Sequence, residues 1–258
     1  MSKRKDAWNT KENAQKYDAY VSEFSLYKET SKDLVSFAKA GAGMKVLDLP
    51  AGTGATTEAL IERFGEDLQI IAVDQAGEML KKAKEKFSKQ KNIQYIISQA
   101  ENVDENTITK VDLVVCNSAF WQMVPKKTLE AVSNILKEGG VFIFNLPDSF
   151  FQHEDFKRTP RRVVSYDFDD LFEWGKEHSL NLVDYAIKSY RKNTKEIAAF
   201  NEIPVMQRNF PDEKSREDHG FTRGYLYFLP KYYSCNLLVP FLLYFQRQLL
   251  IDVHHTGR

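Results

Sequence analysis

Apolar and polar positions alternate regularly along residues 45–147, in two repeating patterns. Short apolar runs rich in β-branched residues predict strands, and the segments between them keep the apolar spacing that is typical of helices. The predicted strands lie at 45–50, 69–74, 93–98, 111–117 and 141–147. Strands this apolar, separated by helices, are typical of a parallel sheet that helices cover on both faces. The alternation alone fits any doubly wound fold, with or without a particular ligand.

Helices are predicted before and between these strands, at 31–43, 56–66, 76–90 and 125–140. Glycines mark the C-terminal ends of two of these predicted helices. Gly41 and Gly43 end the first helix, and Gly139 and Gly140 close the last one. Pro125 opens the last helix, where its missing N–H has no intrahelical partner to lose.

The regular alternation ends after residue 147. Residues 148–165 mix Asp, Gln, His, Arg and Pro with little periodicity, which indicates an irregular cover over the sheet edge. Beyond them the pattern predicts two helices and two strands. In chain order these are a helix at 167–179, a strand at 181–193, a helix at 193–210 that bends at Pro204, and a strand at 221–230.

Composition narrows the class of protein. The chain has 258 residues, 43% of them apolar, which is ample for a packed core and excludes wholesale disorder. Its 36 basic and 36 acidic side chains balance, which disfavours nucleic acid as the main partner. Two scattered cysteines, Cys116 and Cys235, predict neither a disulfide framework nor a metal site. No apolar run follows the charged opening, so we expect no secretory signal and a cytoplasmic location.

The most informative segment is the glycine-rich turn Asp48–Gly54, between a predicted strand and a predicted helix. Its glycines let backbone approach a ligand, and the helix N-terminus offers unpaired N–H groups. A phosphate-binding loop needs Gly-Lys-Ser or Gly-Lys-Thr, and Gly54 is followed instead by Ala55 and Thr56, which excludes that class. A dinucleotide fingerprint needs glycine where Thr57 stands, which weakens that class without removing it.

Two acidic residues close the first two predicted strands. Asp74 follows Gly54 by about twenty residues, the spacing of a ribose-binding carboxylate. Asp48 can face a ligand ammonium, directly or through water, and can also tie down the turn. A ligand with an ammonium, a ribose and an adenine but no phosphate fits both carboxylates without repulsion. The alternative for Asp48 is a plain turn cap, and for Asp74 a solvated loop acid.

Five segments in this order and spacing resemble the class I S-adenosylmethionine-dependent methyltransferases, in their small-molecule branch. They are VLDLPAGTGATTEAL, IIAVDQAGEMLKKAKEK, ISQAENV, VDLVVCNSAF and ILKEGGVFIFNLP. The resemblance implies an α/β fold, namely a Rossmann-like, doubly wound, seven-stranded and mostly parallel sheet whose last strand is antiparallel. It also implies S-adenosylmethionine as cofactor, with S-adenosylhomocysteine as product.

The resemblance also implies roles for individual positions. The residues matching the turn that holds the methionine portion are Asp48, Ala51, Gly52 and Gly54. Asp74 matches the ribose ligand, and the residues matching the adenine contacts are Gln75, Met79, Gln99, Ala100 and Glu101. Asn117 matches a position near the methionine portion and the transferred methyl. Tyr17, in a segment that resembles the family's N-terminal lid helix, could close over the cofactor or simply pack in the core.

Two positions depart from the family's pattern. Pro50 replaces the first glycine of its D-x-G-x-G-x-G turn, which removes one N–H and fixes φ there. We still expect binding, because the two later glycines remain. The segment 117–120 lacks the Asn-Pro-Pro-aromatic signature of enzymes that methylate amide or nucleobase nitrogens, which counts against those acceptors.

The acceptor is expected beyond the carboxyl ends of the fourth and fifth strands. Residues expected to line its aromatic pocket are Phe120, Trp121, Met123, Phe150, Phe151 and His153. If the acceptor must lose a proton, His153 is the first candidate base by position, followed by Tyr166 and His219. A lone histidine is more often structural or solvated, so each assignment stays a hypothesis.

The apolar stretch near the C-terminus, within 236–258, is well short of the roughly 20 residues that span a bilayer. It predicts a helix packed on the core, a homodimer contact or an interfacial anchor. His254 and His255 have no companion ligands at suitable spacing and indicate a solvated tail rather than a metal site.

We expect one methyltransferase domain over 1–258. Its predicted parts are N-terminal lid helices (1–44), a cofactor-binding core (45–147), an acceptor-site cover with the last strands (148–235) and a C-terminal helical and aromatic extension (236–258). The expected activity is methyl transfer to oxygen, nitrogen or carbon of a small organic molecule. The alternatives are a cofactor-dependent cyclase or isomerase and a non-catalytic cofactor-binding regulator.

Overall fold

The computed structural model describes residues 7–38, 40–147, 168–190, 194–205 and 222–230. Three candidate bases, His153, Tyr166 and His219, lie outside these ranges, as do Phe150, Phe151 and the C-terminal stretch 236–258.

A seven-stranded sheet forms the centre of the described structure. Its strands are β1 (Lys45–Asp48), β2 (Gln69–Asp74), β3 (Ile93–Ile97), β4 (Val111–Cys116), β5 (Leu136–Pro147), β6 (Leu180–Ser189) and β7 (Thr222–Pro230). They lie in the order β3-β2-β1-β4-β5-β7-β6. The first five run parallel, and β7 runs antiparallel between β5 and β6. The predicted sheet, with its antiparallel last strand, is confirmed.

Helices cover both faces of this sheet. They are α1 (Lys11–Glu23), α2 (Leu26–Phe37), α3 (Ala55–Phe64), α4 (Gly77–Lys86), α5 (Pro125–Ile135), α6 (Phe168–Glu177) and α7 (Thr194–Asn201). Successive residues of β1 point to opposite faces, because side chains alternate along a strand. Val46 packs with Leu34 of α2 and Leu60 of α3, whereas Leu47 packs in the cluster that contains Leu129 of α5. In the described ranges no helix has the length and apolar character needed to cross a membrane.

The fifth strand begins earlier than its apolar pattern predicts. Helix α5 ends at Ile135, and Leu136 already pairs with Val111 of β4. The pairing then slips, and Val141 lies opposite Leu113. The glycines at 139 and 140, expected to close the helix, lie instead in this irregular part of the strand, where a Cβ on Gly140 would come within 3.0 Å of Leu136 Cδ2. Glycine here permits a β-bulge rather than a helix cap.

The helix predicted over 193–210 is shorter in the structure. Helix α7 ends at Asn201, and Pro204 stands at the start of a new helical turn rather than inside a bent helix. Proline has no N–H to donate and its ring clashes with the preceding turn, so a helix stops before it and can restart at it.

Helix α6 packs so closely on the sheet that it leaves no room for a side chain at Gly175. A Cβ there would lie 2.7 Å from Phe228 Cε1 on β7 and 2.9 Å from the Leu180 carbonyl oxygen. We therefore expect Gly175→Ala to lower the free energy of unfolding by about 1–3 kcal/mol in urea titrations. Ordinarily this change stabilises a helix by about 1 kcal/mol.

Gly41→Ala is the matched control, because a Cβ at Gly41 meets only Met44 Cε, at 3.8 Å. It should change the free energy of unfolding by less than about 1 kcal/mol. Equal effects of the two substitutions would contradict the close packing of α6.

Candidate functional site

A cleft opens at the carboxyl ends of the central strands. Strand β1 pairs with β2 on one side and β4 on the other, so the connections that leave β1 and β4 diverge, as at the ligand crevice of open α/β sheets. The cleft has a volume of about 130 Å³. Its lining residues are 49–53, 55–56, 74–75, 79, 98, 100–101, 117–119 and 122–123, with Trp8, Tyr17 and Tyr27 from the N-terminal segment.

The turn after β1 has a backbone that requires glycine. Gly52 and Gly54 have φ values of 54° and 93°, in the left-handed region that other residues rarely adopt. Gly54 also precedes the first residue of α3, and a Cβ on it would lie 2.5 Å from Phe87 Cε2. The turn is thus held close to α4 and its neighbours, and Gly54 supports the cleft without lining it.

Asp74 joins this turn to the start of α4. Its Oδ2 accepts the N–H of Gly52 at 2.9 Å, and its Oδ1 accepts the N–H of Ala76 at 2.8 Å. Burial raises the pKa of Asp74 to about 6, against the opposing effect of these N–H donors. The backbone N–H of Gln75 also bonds to this carboxylate. A carboxylate can accept about four hydrogen bonds, so these three donors leave acceptor capacity for a hydroxyl in the cleft.

Asp48 lies behind the turn rather than on the cleft wall. Its side chain is fully buried, and its Oδ2 accepts the hydroxyl of Thr57 in α3 at 2.7 Å. Its Oδ1 is buried and has no hydrogen-bond partner among the described residues. Burial raises the pKa of Asp48 to about 7. The hydrogen bond to Thr57 ties the end of β1 to helix α3, as expected of a residue that holds the turn in place. Because Asp48 does not line the cleft, it can act on a ligand only through its charge or through a water molecule.

Thr53 is a cleft residue that the sequence analysis missed. Its side chain is 1% exposed, and its Oγ1 has no hydrogen-bond partner within the described ranges. Buried hydroxyls are normally hydrogen-bonded. The Thr53 hydroxyl therefore has an unused donor and acceptor beside the turn. The position of Thr53 between the two glycines was the available signal.

The far end of the cleft lies between β2 and β3. Gln75, Met79, Ala100 and Glu101, the positions matched to adenine contacts, all line it. Gln99 does not; Ser98 lines the cleft in its place. The resemblance to the family located this loop correctly, but it did not show whether Ser98 or Gln99 faces the cleft.

The N-terminal segment crosses the mouth of the cleft. The Nε1 of Trp8 donates to Gln122 Oε1 at 3.1 Å, and Asn9 Oδ1 accepts the N–H of Glu78 at 3.2 Å. Tyr17 lies beneath it, with its ring 5.5 Å edge-on from Trp8. A Cβ on Gly52 would lie 3.8 Å from Tyr17 Cε1, so the tyrosine contacts the glycine turn directly. Trp8 was missed as a site residue, although the aromatic spacing of the opening was a signal.

Two of the expected acceptor-pocket residues pack elsewhere. Phe120 is fully buried in the core and stacks on Phe144 with ring centroids 4.0 Å apart. Trp121 is absent from the cleft lining, and its Nε1 donates to the Ser118 carbonyl at 3.1 Å. Met123 does line the cleft. The prediction was wrong for Phe120 because the tight turn after β4 directs that ring back onto the sheet.

Asn117 lines the cleft, but its side-chain amide is committed to the protein. The Nδ2 group donates to Thr30 Oγ1 at 3.2 Å and to Ser31 Oγ at 2.8 Å. The Oδ1 accepts from Asn145 Nδ2 at 2.7 Å and from Ser118 Oγ at 3.2 Å. These four bonds use the full capacity of an amide, so Asn117 shapes the wall rather than offering a free polar group.

The buried acids predict a pH dependence of stability in the ligand-free protein. An aspartate with a pKa near 3.8 when unfolded and about 7 when folded binds its proton more tightly in the folded state. The stabilising contribution of Asp48 to the free energy of unfolding is therefore complete below about pH 4, and it is lost as the pH rises through about 7. Asp74, with a pKa of about 6, acts in the same sense.

Asp48→Asn keeps an oxygen for Thr57 but cannot titrate. We expect urea unfolding to show the wild type losing stability relative to this variant as the pH rises from about 5 to about 8. A difference between the two proteins that stays constant over this range would contradict the pKa assigned to Asp48.

Comparisons with known proteins point to one family. A sequence profile described as a methyltransferase domain matches residues 40–201. A malonyl-[acyl-carrier protein] O-methyltransferase of Halalkalibacterium halodurans is 28% identical over 124 residues, covering 46% of this chain and 45% of that protein. A trans-aconitate 2-methyltransferase of Rhodopseudomonas palustris is 33% identical over 121 residues, covering 46% and 44%. The chain thus spans about half the length of the curated relatives it matches.

Solved structures share the architecture. An S-adenosylmethionine-dependent methyltransferase from Clostridium acetobutylicum matches with a TM-score of 0.52 at 21% identity, over 81% of this chain and 92% of that one. At this identity the likeness concerns the fold alone.

The cleft fits the cofactor of this family. Asp74 has lone pairs for ribose hydroxyls, while Thr53 Oγ1 and Asp48 Oδ1 are buried polar atoms that lack a hydrogen-bond partner in the described ranges, beside the turn. The two acids also suit a ligand with a positively charged sulfur and an ammonium. Because the profile covers more than half of the chain and the solved methyltransferases share its fold, the chain belongs to the class I S-adenosylmethionine-dependent methyltransferase family.

Proposed function

We propose that the protein transfers the methyl group of S-adenosylmethionine to an oxygen, nitrogen or carbon atom of a small organic acceptor. The observation that carries this proposal is the buried Asp74 carboxylate, which holds the glycine turn by its N–H and keeps acceptor capacity toward the cleft. When bound, the cofactor supplies an electrophilic methyl group that a nucleophile takes by displacement, leaving S-adenosylhomocysteine.

The chain's own residues account for binding at each end of the cleft. Asp74 accepts hydrogen bonds from the ribose hydroxyls, and Met79 provides an apolar surface for the flat base. At the other end, Ala55 and Thr56 belong to the first turn of α3, whose N–H groups lack intrahelical acceptors and favour a carboxylate. The negative charge of the buried acids favours the positive charges of the ligand.

Alignment and exclusion of water are the main contributions the protein can make to a displacement. The Trp8 to Gln122 bond carries the N-terminal segment across the mouth of the cleft. Tyr17 and Tyr27 lie below it with ring centroids 5.6 Å apart. These rings limit access of solvent to the reacting atoms.

The charged residues that line the cleft influence which acceptors can bind there. Among the described residues that line the cleft there is no Lys, Arg or His. This favours an uncharged or weakly charged acceptor. The names of two relatives point to other candidates, malonyl-[acyl-carrier protein] and trans-aconitate, which carry carboxyl groups. Both kinds of acceptor therefore belong in a first panel.

Calorimetric titration tests the cofactor site. We expect the wild type to bind S-adenosylhomocysteine and Asp74→Asn to bind it at least about tenfold more weakly, because a charge-assisted hydrogen bond is lost and an N–H₂ faces the turn's N–H groups. The same change at exposed Asp67 is the control and should leave affinity unaltered. Equal affinity of Asp74→Asn and wild type would remove Asp74 from the site.

Mass spectrometry with cofactor carrying an isotopically labelled methyl tests the reaction. The panel should contain trans-aconitate, malonyl-[acyl-carrier protein] and uncharged phenols, amines and carbon acids. We expect one acceptor to gain the labelled methyl with release of S-adenosylhomocysteine. A converted product without the label would favour a cyclase or isomerase, and binding without any turnover would favour a regulator.

A further inference from the structure

The loop after β4 begins with an unusual backbone conformation. Ser118 has a φ of 57°, in the left-handed region, which is uncommon for a residue other than glycine. Such a conformation persists only where neighbouring groups hold it, and it often occurs at functional sites. Ser118 and its neighbours Asn117 and Ala119 line the cleft.

Asn145 of β5 holds this conformation. Its side chain is fully buried and does not line the cleft. Its Oδ1 accepts the N–H of Ser118 at 2.6 Å and lies 3.3 Å from the Ser118 hydroxyl, and its Nδ2 donates to Asn117 Oδ1 at 2.7 Å. One side chain therefore fixes both the backbone of Ser118 and the orientation of the Asn117 amide.

The hydrogen bonds continue from Asn117 to helix α2. Its Nδ2 donates to Thr30 and Ser31 on α2, and Ser31 Oγ lies 3.2 Å from Thr56 Oγ1 in the first turn of α3. The network thus connects β5, the loop after β4, helix α2 and the first turn of helix α3. A change at Asn145 is transmitted to the wall of the cleft through Asn117.

The neighbouring residue on β5 anchors the same loop from the opposite face of the sheet. Phe144 stacks on Phe120 at a centroid distance of 4.0 Å, while Asn145 bonds to Ser118. An apolar side chain would suit a fully buried strand position without the cost of desolvating an amide. The amide is therefore explained by what it orients, rather than by packing.

We propose that Asn145 is a positioning residue for methyl transfer, which fixes the cleft wall formed by Asn117, Ser118 and Ala119 without touching cofactor or acceptor. This inference rests on the proposed function. Small displacements of groups that align reactants cost large factors in rate. Asp74 holds Gly52 and Ala76 through hydrogen bonds in which Asn145 takes no part. We therefore expect the loss of Asn145 to reduce turnover more than cofactor affinity.

Two variants separate the bonds. Asn145→Leu removes both contacts, whereas Asn145→Asp keeps an oxygen for the Ser118 N–H and loses the donor to Asn117. Asn134, exposed on α5, provides matched controls with the same two substitutions. Each protein is examined by calorimetry with S-adenosylhomocysteine, by the amide proton signal and exchange rate of Ser118 in NMR spectra, and by turnover with the acceptor that the panel identifies.

In Asn145→Leu we expect the Ser118 amide signal to move upfield and to exchange at least about tenfold faster. Turnover should fall at least about tenfold, while affinity for S-adenosylhomocysteine changes less than about threefold. Asn145→Asp should keep the Ser118 signal and lose less turnover. If the Asn145→Leu protein does not fold, Asn145→Asp provides the test. A larger loss of turnover than of cofactor affinity in that variant would support the proposal.

An Asn145 variant with wild-type Ser118 signal and turnover would overturn the proposal, as would a proportional loss of affinity and turnover. Absence of binding or turnover in the wild type would count against the proposed function instead. In that case an unchanged Ser118 signal in Asn145→Leu would still show that Asn145 does not fix the backbone of Ser118.

Discussion

The site depends on one carboxylate that receives backbone N–H groups from two different connections. Asp74 accepts from Gly52 after β1 and from Ala76 before α4, and so fixes the distance between the two connections that form the cleft floor. The parallel register of β1 and β2 brings their carboxyl ends together, with Asp48 opposite Ala72. The sheet brings the ends of β1 and β2 together, and the glycines allow the backbone of the turn after β1 to adopt positive φ values. Asp74 then bonds the turn after β1 to the connection after β2.

This arrangement places two acids where water is largely excluded. Burial raises the pKa of Asp48 to about 7 and that of Asp74 to about 6, so the folded protein bears an electrostatic cost near neutral pH. A cationic ligand without phosphate offsets that cost, whereas a phosphate would add to it. The burial that costs stability therefore also favours a positively charged ligand in the cleft.

The sequence predicted those features that depend on residues close together in the chain. The apolar runs located the strands, and the turn chemistry with the spacing to Asp74 located the cleft. What sequence could not provide depends on contacts between distant segments. The Asn145 amide meets Ser118 across 27 positions, and Trp8 meets Gln122 across 114. Phe120 was misplaced because a pattern of apolar residues does not say whether a ring after a strand faces the ligand or the core.

A crystal structure of the protein with S-adenosylhomocysteine would show directly how the ribose lies against Asp74. We expect both ribose hydroxyls within about 3 Å of the Asp74 oxygens, with the Gly52 N–H still bonded to the same carboxylate. Ribose density away from Asp74, or an Asp74 side chain that leaves Gly52 to reach the ligand, would contradict it.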